Sequence, residues 1–256
     1  MKLFVTAFCL VGICFSAKAQ FAIINDPDGF VNIRKEKSLT AKINGKVYDN
    51  QVLCIQDSDD NPEIWYPVTT PNYITDYSTG KISHLSNKNA IDGFVYANRL
   101  TAIVQLPHIP SKYRHLAGNK LTIKNDSVEL IISSQPFNIK AHKIHRSKEC
   151  PDCKTMEIDK VDEYEPVGLY SSSSSVHSIE ISRFSLKIKG REVLIPQDAF
   201  KDLYNPGLET MNVYFDKKGY TYLCMPRNGD GDAGYSILWV IYKGKLLKRY
   251  MDNSLE

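Results

Sequence analysis

The chain has 256 residues, which is long enough for two domains of ordinary size. Its 43% hydrophobic and 24% charged residues are typical of a soluble globular protein, and its 15 tyrosines favour β structure. The formal net charge of +3 falls to +1 when the two lysines of residues 1–19 are removed, which argues against nucleic acid as a partner.

Residues 1–19 have the form of a secretory signal peptide. Lys2 supplies the positive start, residues 3–15 form an apolar core too short to span a bilayer, and residues 16–19 match a cleavage site. The alternative is a lipoprotein acylated at Cys14, but the bulky Ile13 stands where a small residue is expected. We therefore expect an ordinary signal peptide, a mature chain without a membrane span, and a periplasmic or secreted location.

Short strands separated by turn residues are predicted for the first domain, residues 20–105. Asp28-Gly29 predicts a turn, because glycine tolerates positive φ and aspartate hydrogen-bonds its own backbone. The alternating residues 30–34 then predict a strand with Val31 and Ile33 on one side. Gly93 predicts a second turn before a closing strand.

Four short motifs, in this order along the chain, resemble the bacterial SH3-like (SH3b) domain. They are Asp28-Gly29-Phe30-Val31-Asn32-Ile33-Arg34, Ile43-Asn44-Gly45-Lys46-Val47, Trp65-Tyr66-Pro67-Val68, and Asp92-Gly93-Phe94-Val95-Tyr96 with Asn98-Arg99-Leu100. The resemblance covers about residues 22–100. It implies a small barrel that binds peptides or cell-wall fragments through aromatic residues and loops on one face, or that mediates protein contacts. Residues 35–37 depart from the family, which usually has Ser-Gly-Pro there.

The candidate ligand-binding residues that this resemblance implies are aromatic: Trp65, Tyr66, Tyr73, Tyr77 and Tyr96. Trp65 suits the core of a small barrel equally well. Tyr73 and Tyr77 belong to an insertion of roughly twenty residues before Ile91, longer than an ordinary hairpin. The insertion is either a binding loop or a segment that packs against the second domain, and both alternatives stay open.

Residues 106–119 are predicted to be a linker, and residues 120–256 a second, β-rich domain. Alternating segments predict its strands, and one short helix is predicted over residues 197–204, where residues 199, 200 and 203 form an apolar face. The fold class is therefore mainly β, with a small SH3-like barrel followed by a β-rich domain with one short helix. Residues 195–206 with 229–235 look like part of a C-terminal domain of uncharacterised secreted bacterial proteins, a likeness that implies no activity.

Four cysteines remain after the signal peptide: Cys54, Cys150, Cys153 and Cys224. An even number in an exported chain favours disulfides, and the sequence does not choose among the three pairings. Because Pro151 provides a tight turn, we expect a local disulfide between Cys150 and Cys153.

Zinc is the weaker interpretation of the same segment. His142 and His145 precede the two cysteines, and two imidazoles with two thiolates can complete a tetrahedral site. The spacing is compressed relative to a zinc finger, so we expect no metal and no cofactor.

The segment from Asn228 to Gly234 resembles the start of a calcium loop. Asp230 and Asp232 would be its ligands, but Ala233 and Trp239 stand where an EF-hand needs glycine and glutamate. A plain turn between strands is therefore the preferred interpretation.

The sequence contains no nucleophile elbow, zinc-protease motif, phosphate loop or dinucleotide fingerprint. The first hypothesis is an exported non-catalytic protein whose first domain binds cell-wall peptide, glycan or a protein partner. The second is a periplasmic inhibitor or immunity-type protein that acts through the C-terminal domain. The third is a secreted cell-wall hydrolase, whose activity would be lost in Cys150→Ala or His142→Ala.

Overall fold

The computed structural model describes residues 20–49, 51–56, 64–79, 83–86, 90–142, 144–146, 156–158, 179–228 and 234–252. Within these ranges no helix reaches seven residues, and the mainly β fold class is confirmed. The strands, in chain order, are β1 (Gln20–Ile24), β2 (Phe30–Arg34), β3 (Ile43–Tyr48), β4 (Val52–Ile55), β5 (Trp65–Thr69), β6 (Tyr73–Asp76), β7 (Ser83–Ser86), β8 (Asp92–Tyr96), β9 (Leu100–Ala102), β10 (Arg114–Ala117), β11 (Lys120–Lys124), β12 (Val128–Pro136), β13 (Ile144–Arg146), β14 (Met156–Ile158), β15 (Ile179–Ile188), β16 (Arg191–Val193), β17 (Asn212–Phe215), β18 (Tyr220–Asn228), β19 (Tyr235–Tyr242) and β20 (Lys245–Asp252).

Three large sheets hold most of these strands. The first sheet has the order β3-β2-β8-β5-β4-β1-β9, the second β10-β11-β12-β15-β16, and the third β17-β18-β19-β20-β6-β7, while β13 and β14 pair by themselves. All seven strands of the first sheet contribute side chains to one hydrophobic core, so this sheet curves around it. A second core lies between the second and third sheets.

The third sheet is the middle layer of the molecule, because both of its faces are covered. Along β19, Ile237 and Trp239 point into the second core, while Leu238 and Val240 pack with Phe21 of the first sheet. This two-sided burial explains why residues 237–241 form one unbroken apolar run rather than an alternating one.

The hairpin of β6 and β7 crosses from the first half of the sequence into the third sheet. It corresponds to the insertion noted in the sequence, and β6 pairs antiparallel with β20, with Thr75 opposite Arg249. In addition, β10 lies within the predicted linker and pairs with β11. The two-domain division of the chain stays a prediction.

The helix predicted over residues 197–204 is shorter than expected, since only Gln197–Ala199 forms a 3-10 helix. The carbonyl oxygens that a longer helix would use accept other donors. The Trp239 indole N–H donates to Ala199 O at 2.9 Å, and the Tyr77 hydroxyl donates to Asp198 O at 3.2 Å. The third sheet thereby holds the segment as an irregular loop over the second core.

Gly93 does not form the predicted turn but lies inside β8. Its φ of +150° accompanies a close approach to β2, since a Cβ here would stand 2.3 Å from the Arg34 carbonyl oxygen. Glycine is therefore required where β8 crosses β2.

Candidate functional site

The turn between β1 and β2 is built by the side chain of Asp26. Its Oδ1 accepts the Asp28 N–H at 2.9 Å, and its carbonyl accepts the Gly29 N–H at 3.1 Å. Gly29 has a φ of +73°, so the turn predicted at Asp28-Gly29 is confirmed. This turn fixes the second carboxylate oxygen of Asp26 toward Arg99.

Arg99 lies near the other end of the chain segment that forms the first sheet. It belongs to the 3-10 helix Ala97–Arg99, which follows β8. Its Nη1 donates to Asp26 Oδ2, and this hydrogen bond is the main reason that the pKa of Asp26 is lowered. The Asp26 side chain is 2% exposed, whereas the Arg99 side chain is 46% exposed. The guanidinium therefore presents its remaining donors to solvent while one nitrogen anchors the turn.

Two aromatic rings stand beside this pair. Trp65 and Tyr96 lie directly opposite each other on β5 and β8, with ring centroids 5.3 Å apart and planes at 89°. Such edge-to-face packing holds both rings in place without burying either completely. Of the sequence-predicted ligand-binding residues, the structure brings these two together.

Strand β2 adds polar groups through its alternation. Val31 and Ile33 point into the first core, so Asn32 and Arg34 point to the other side. Arg34 Nη1 donates to the Ala41 carbonyl at 2.8 Å. The Oδ1 atom of Asn32 is buried and accepts no hydrogen bond from the described residues.

These groups line one cavity of about 180 Å³ beside strands β2, β8 and β5 of the first sheet. Its charged lining residues are Asp26, Asp28, Arg34 and Arg99, whose formal charges cancel. Its volume is below the roughly 300–1,000 Å³ of pockets that enclose a drug-sized ligand. The cavity therefore suits a single residue or head group of a larger ligand.

The other three aromatic candidates lie elsewhere. Tyr66 packs against the first core, while Tyr73 and Tyr77 pack against the second core. Burial raises the pKa of Tyr77 to about 12. Of the two alternatives for the insertion, these contacts favour packing against the second half of the chain; a ligand role for the three tyrosines stays a prediction.

The predicted zinc or disulfide segment is only partly described. His142 Nε2 lies 2.8 Å from Glu180 Oε2, and the ring stacks on Phe137 with centroids 4.8 Å apart. The backbone of His145 belongs to β13. Cys150 and Cys153 lie outside the described residues, as does their predicted disulfide, and no group of three or more potential metal ligands occurs within the ranges given above.

The two cysteines that the structure does describe, Cys54 and Cys224, are free and buried where the first and third sheets meet. Burial raises the pKa of the Cys224 thiol to about 12, and burial also raises the pKa of Cys54. Both thiols are therefore protonated and poorly reactive at neutral pH.

Asp230 and Asp232 of the possible calcium loop also lie outside the described residues. The last described residue before them, Asn228, is held by the fold. Its Oδ1 accepts the Gly207 N–H at 2.9 Å, and its Nδ2 donates to the carbonyls of Met225 and Tyr235. Asn228 is thus a structural residue at the end of β18.

Sequence reasoning found the aromatic half of the cavity and missed the polar half. Arg99 belongs to the last motif quoted for the first domain and Asp26 lies two residues before the first, but the two are 73 positions apart. An Asp two residues before Asp-Gly is a signal for a side-chain-capped turn. Nothing in the local sequence indicated that the arginine would reach it.

Comparisons with protein-family models, with curated proteins and with solved structures found no match to this chain. The resemblance to SH3-like domains therefore stays a prediction from the motifs. In the described part of the chain, no helix is long and apolar enough to cross a membrane.

Proposed function

We propose that this protein is an exported, non-catalytic binding protein that engages a cell-wall peptide through the cavity beside Trp65 and Tyr96. The observation that carries the proposal is the cavity itself, in which two fixed aromatic rings adjoin exposed charges of both signs. The predicted signal peptide and the SH3-like motifs support the same conclusion from the sequence.

The charges favour peptide over neutral glycan. Sugar rings stack on aromatic side chains but offer no ionic group, whereas a peptide offers ammonium and carboxylate groups that pair with Asp28 and Arg99. Asp28 is well placed for this role because its side chain is 70% exposed and stands 3.9 Å from the nearest guanidinium nitrogen of Arg99. The cavity thus combines an apolar wall with ionic groups that solvent reaches.

The test is sedimentation of the purified protein with peptidoglycan sacculi, comparing wild type with Trp65→Ala. Aromatic anchors of binding sites contribute about 2 kcal/mol or more, so the apparent Kd should rise at least about tenfold. Tyr113→Ala is the matched control, since this aromatic residue is exposed outside the cavity. Its binding should equal that of wild type.

Two results would count against the proposal. Equal pelleting of wild type and Trp65→Ala would exclude the cavity as the binding site. Soluble muropeptides in the supernatant would show catalysis, and the cell-wall hydrolase hypothesis would replace the non-catalytic one.

A further inference from the structure

The cavity contains polar groups that the fold itself does not use. Asp26 is fully committed, with one carboxylate oxygen on the Asp28 N–H and the other on Arg99. Arg99 commits one nitrogen to this pair, and a guanidinium carries five N–H donors in all. The carboxylate of Asp28 has no hydrogen-bonding partner for its oxygens among the described residues, apart from the distant approach of Arg99 at 3.9 Å.

Asp28 and Arg99 form a loose, solvent-exposed ion pair at 3.9 Å, so their charges are opposite in sign and adjacent. An ammonium bound to Asp28 and a carboxylate bound to Arg99 must therefore lie close together in the ligand. An amino-acid head group, with both charges on a single carbon atom, meets this requirement. The rings of Trp65 and Tyr96 then provide an apolar surface for the chain that follows the head group.

We propose that the cavity recognises a zwitterionic amino-acid head group, with its ammonium on Asp28 and its carboxylate on Arg99. This inference rests on the proposed function and adds the chemical class of its ligand. Arg34, which lines the same cavity, adds a second positive charge for the carboxylate.

Three small probes separate the two charges. Nε-acetyllysine has the complete head group on an apolar arm, Nα,Nε-diacetyllysine lacks the ammonium, and Nε-acetyllysine amide lacks the carboxylate. Binding is followed by tryptophan fluorescence, because one of the two tryptophans lines the cavity and the other, Trp239, is fully buried in the second core. Each charge-assisted hydrogen bond lost should weaken binding about tenfold or more.

A variant that removes the charge of Asp28 tests whether this residue binds the ammonium of the probe. Asp28→Asn should bind Nε-acetyllysine about tenfold more weakly and should no longer prefer it to the diacetylated probe. Asp126→Asn, an exposed aspartate in the turn between β11 and β12, is the matched control and should behave as wild type. Because the probes are compared on unaltered protein, the test holds even if a variant folds poorly.

The outcomes distinguish this inference from the proposed function. Equal affinity for all three probes, or binding of none, overturns the zwitterion, while sacculus binding that depends on Trp65 still supports the cell-wall function. Preference for the complete head group without sacculus binding supports the zwitterion and overturns the cell-wall function.

Discussion

Two arginine–aspartate pairs join distant parts of this chain, and they differ in how much of the guanidinium is exposed to solvent and free to donate. At the cavity, Arg99 binds Asp26 through one nitrogen and is 46% exposed. In the second core, Arg249 binds Asp202 through both terminal nitrogens, at 2.6 and 2.8 Å, and its side chain is 1% exposed. The first pair leaves donors for a ligand, whereas the second is bidentate and closed to solvent.

An arginine–aspartate pair can therefore either hold the fold together or leave donors for a ligand, and the burial of the guanidinium decides which. A buried guanidinium and carboxylate must satisfy each other, because neither can be left unpaired without a large desolvation cost. Arg249 therefore lies at the centre of a structural network that also reaches Asp198 O at 3.4 Å. A half-exposed arginine keeps its hydration, so exchange of water for a ligand costs less.

The largest expected effect on stability comes from breaking the buried pair of Arg249 and Asp202. Arg249→Met leaves the Asp202 carboxylate buried without its partner and should lower the free energy of unfolding by about 3–5 kcal/mol. Urea denaturation of wild type and variant measures this difference. Lys218→Met is the matched control, since it removes a cation from an exposed ion pair with Asp49 and should cost less than about 1 kcal/mol.

A double variant, Arg249→Met with Asp202→Leu, sharpens the interpretation. Replacing both partners by apolar groups removes the unpaired charge, so most of the lost stability should return. A double variant as unstable as Arg249→Met would show that packing around the arginine, rather than the uncompensated carboxylate, causes the loss.

Breaking the half-exposed pair of Asp26 and Arg99 should have a smaller effect on stability, and this effect should depend on pH. The pKa of Asp26 is lowered in the folded protein, chiefly by its hydrogen bond from Arg99. The ionised carboxylate therefore stabilises the fold above the unfolded pKa of about 4, and this contribution is lost as the pH falls through the folded value. Asp26→Asn should cost about 1–2 kcal/mol at neutral pH, allowing for the solvent around Arg99.

Denaturation of Asp26→Asn and wild type at neutral pH and at a series of pH values below about 4 checks the sign. The difference between the two stabilities should narrow progressively as the pH falls, because the wild-type carboxyl becomes protonated. Asp126→Asn, in an exposed turn, should have nearly the same stability as wild type at neutral pH, so there is no difference that could narrow at acidic pH. A gap between wild type and Asp26→Asn that is constant with pH would contradict the assignment of the effect to the ionised pair.

How much of this was visible in the sequence depends on the range of each interaction. Turns are local, and the one predicted at Asp28-Gly29 is confirmed by a glycine with φ of +73°. Alternation is local too: the alternating residues 178–188 predict a strand, and β15 spans Ile179–Ile188. Periodicity of two identifies a strand because it reflects which face is buried.

The partner of a strand is not encoded in that periodicity. The strand β6 gave no local sign that it would pair with β20, which lies more than 150 residues later. The helix predicted over residues 197–204 failed for the same reason, since its carbonyls are taken by Trp239 and Tyr77 from other elements. The polar half of the cavity likewise depends on a contact between Asp26 and Arg99 that the antiparallel pairing of β1 with β9 creates, since Ile24 lies opposite Leu100.

The smallest expected effect on stability is at Tyr77, which joins the hairpin of β6 and β7 to the hydrogen bonds around Arg249. The Tyr77 hydroxyl donates to Asp198 O at 3.2 Å, the same carbonyl that Arg249 approaches. Tyr77→Phe removes this bond and should cost about 0.5–1.5 kcal/mol. Tyr66→Phe is the matched control, because this half-buried ring packs on the first core and its loss of a hydroxyl should cost less than about 0.5 kcal/mol.

The pH dependence of Tyr77→Phe distinguishes burial from the hydrogen bond alone. Since burial raises the pKa of Tyr77 to about 12, its neutral form stabilises the fold below the unfolded pKa of about 10. That contribution is lost as the pH rises toward 12, so wild type should lose stability more steeply than Tyr77→Phe in this range. If both proteins lose stability in parallel from pH 10 upward, the phenol titrates as an exposed group would. The hairpin would then be a loosely attached edge of the third sheet, rather than a part of the closed network around Arg249.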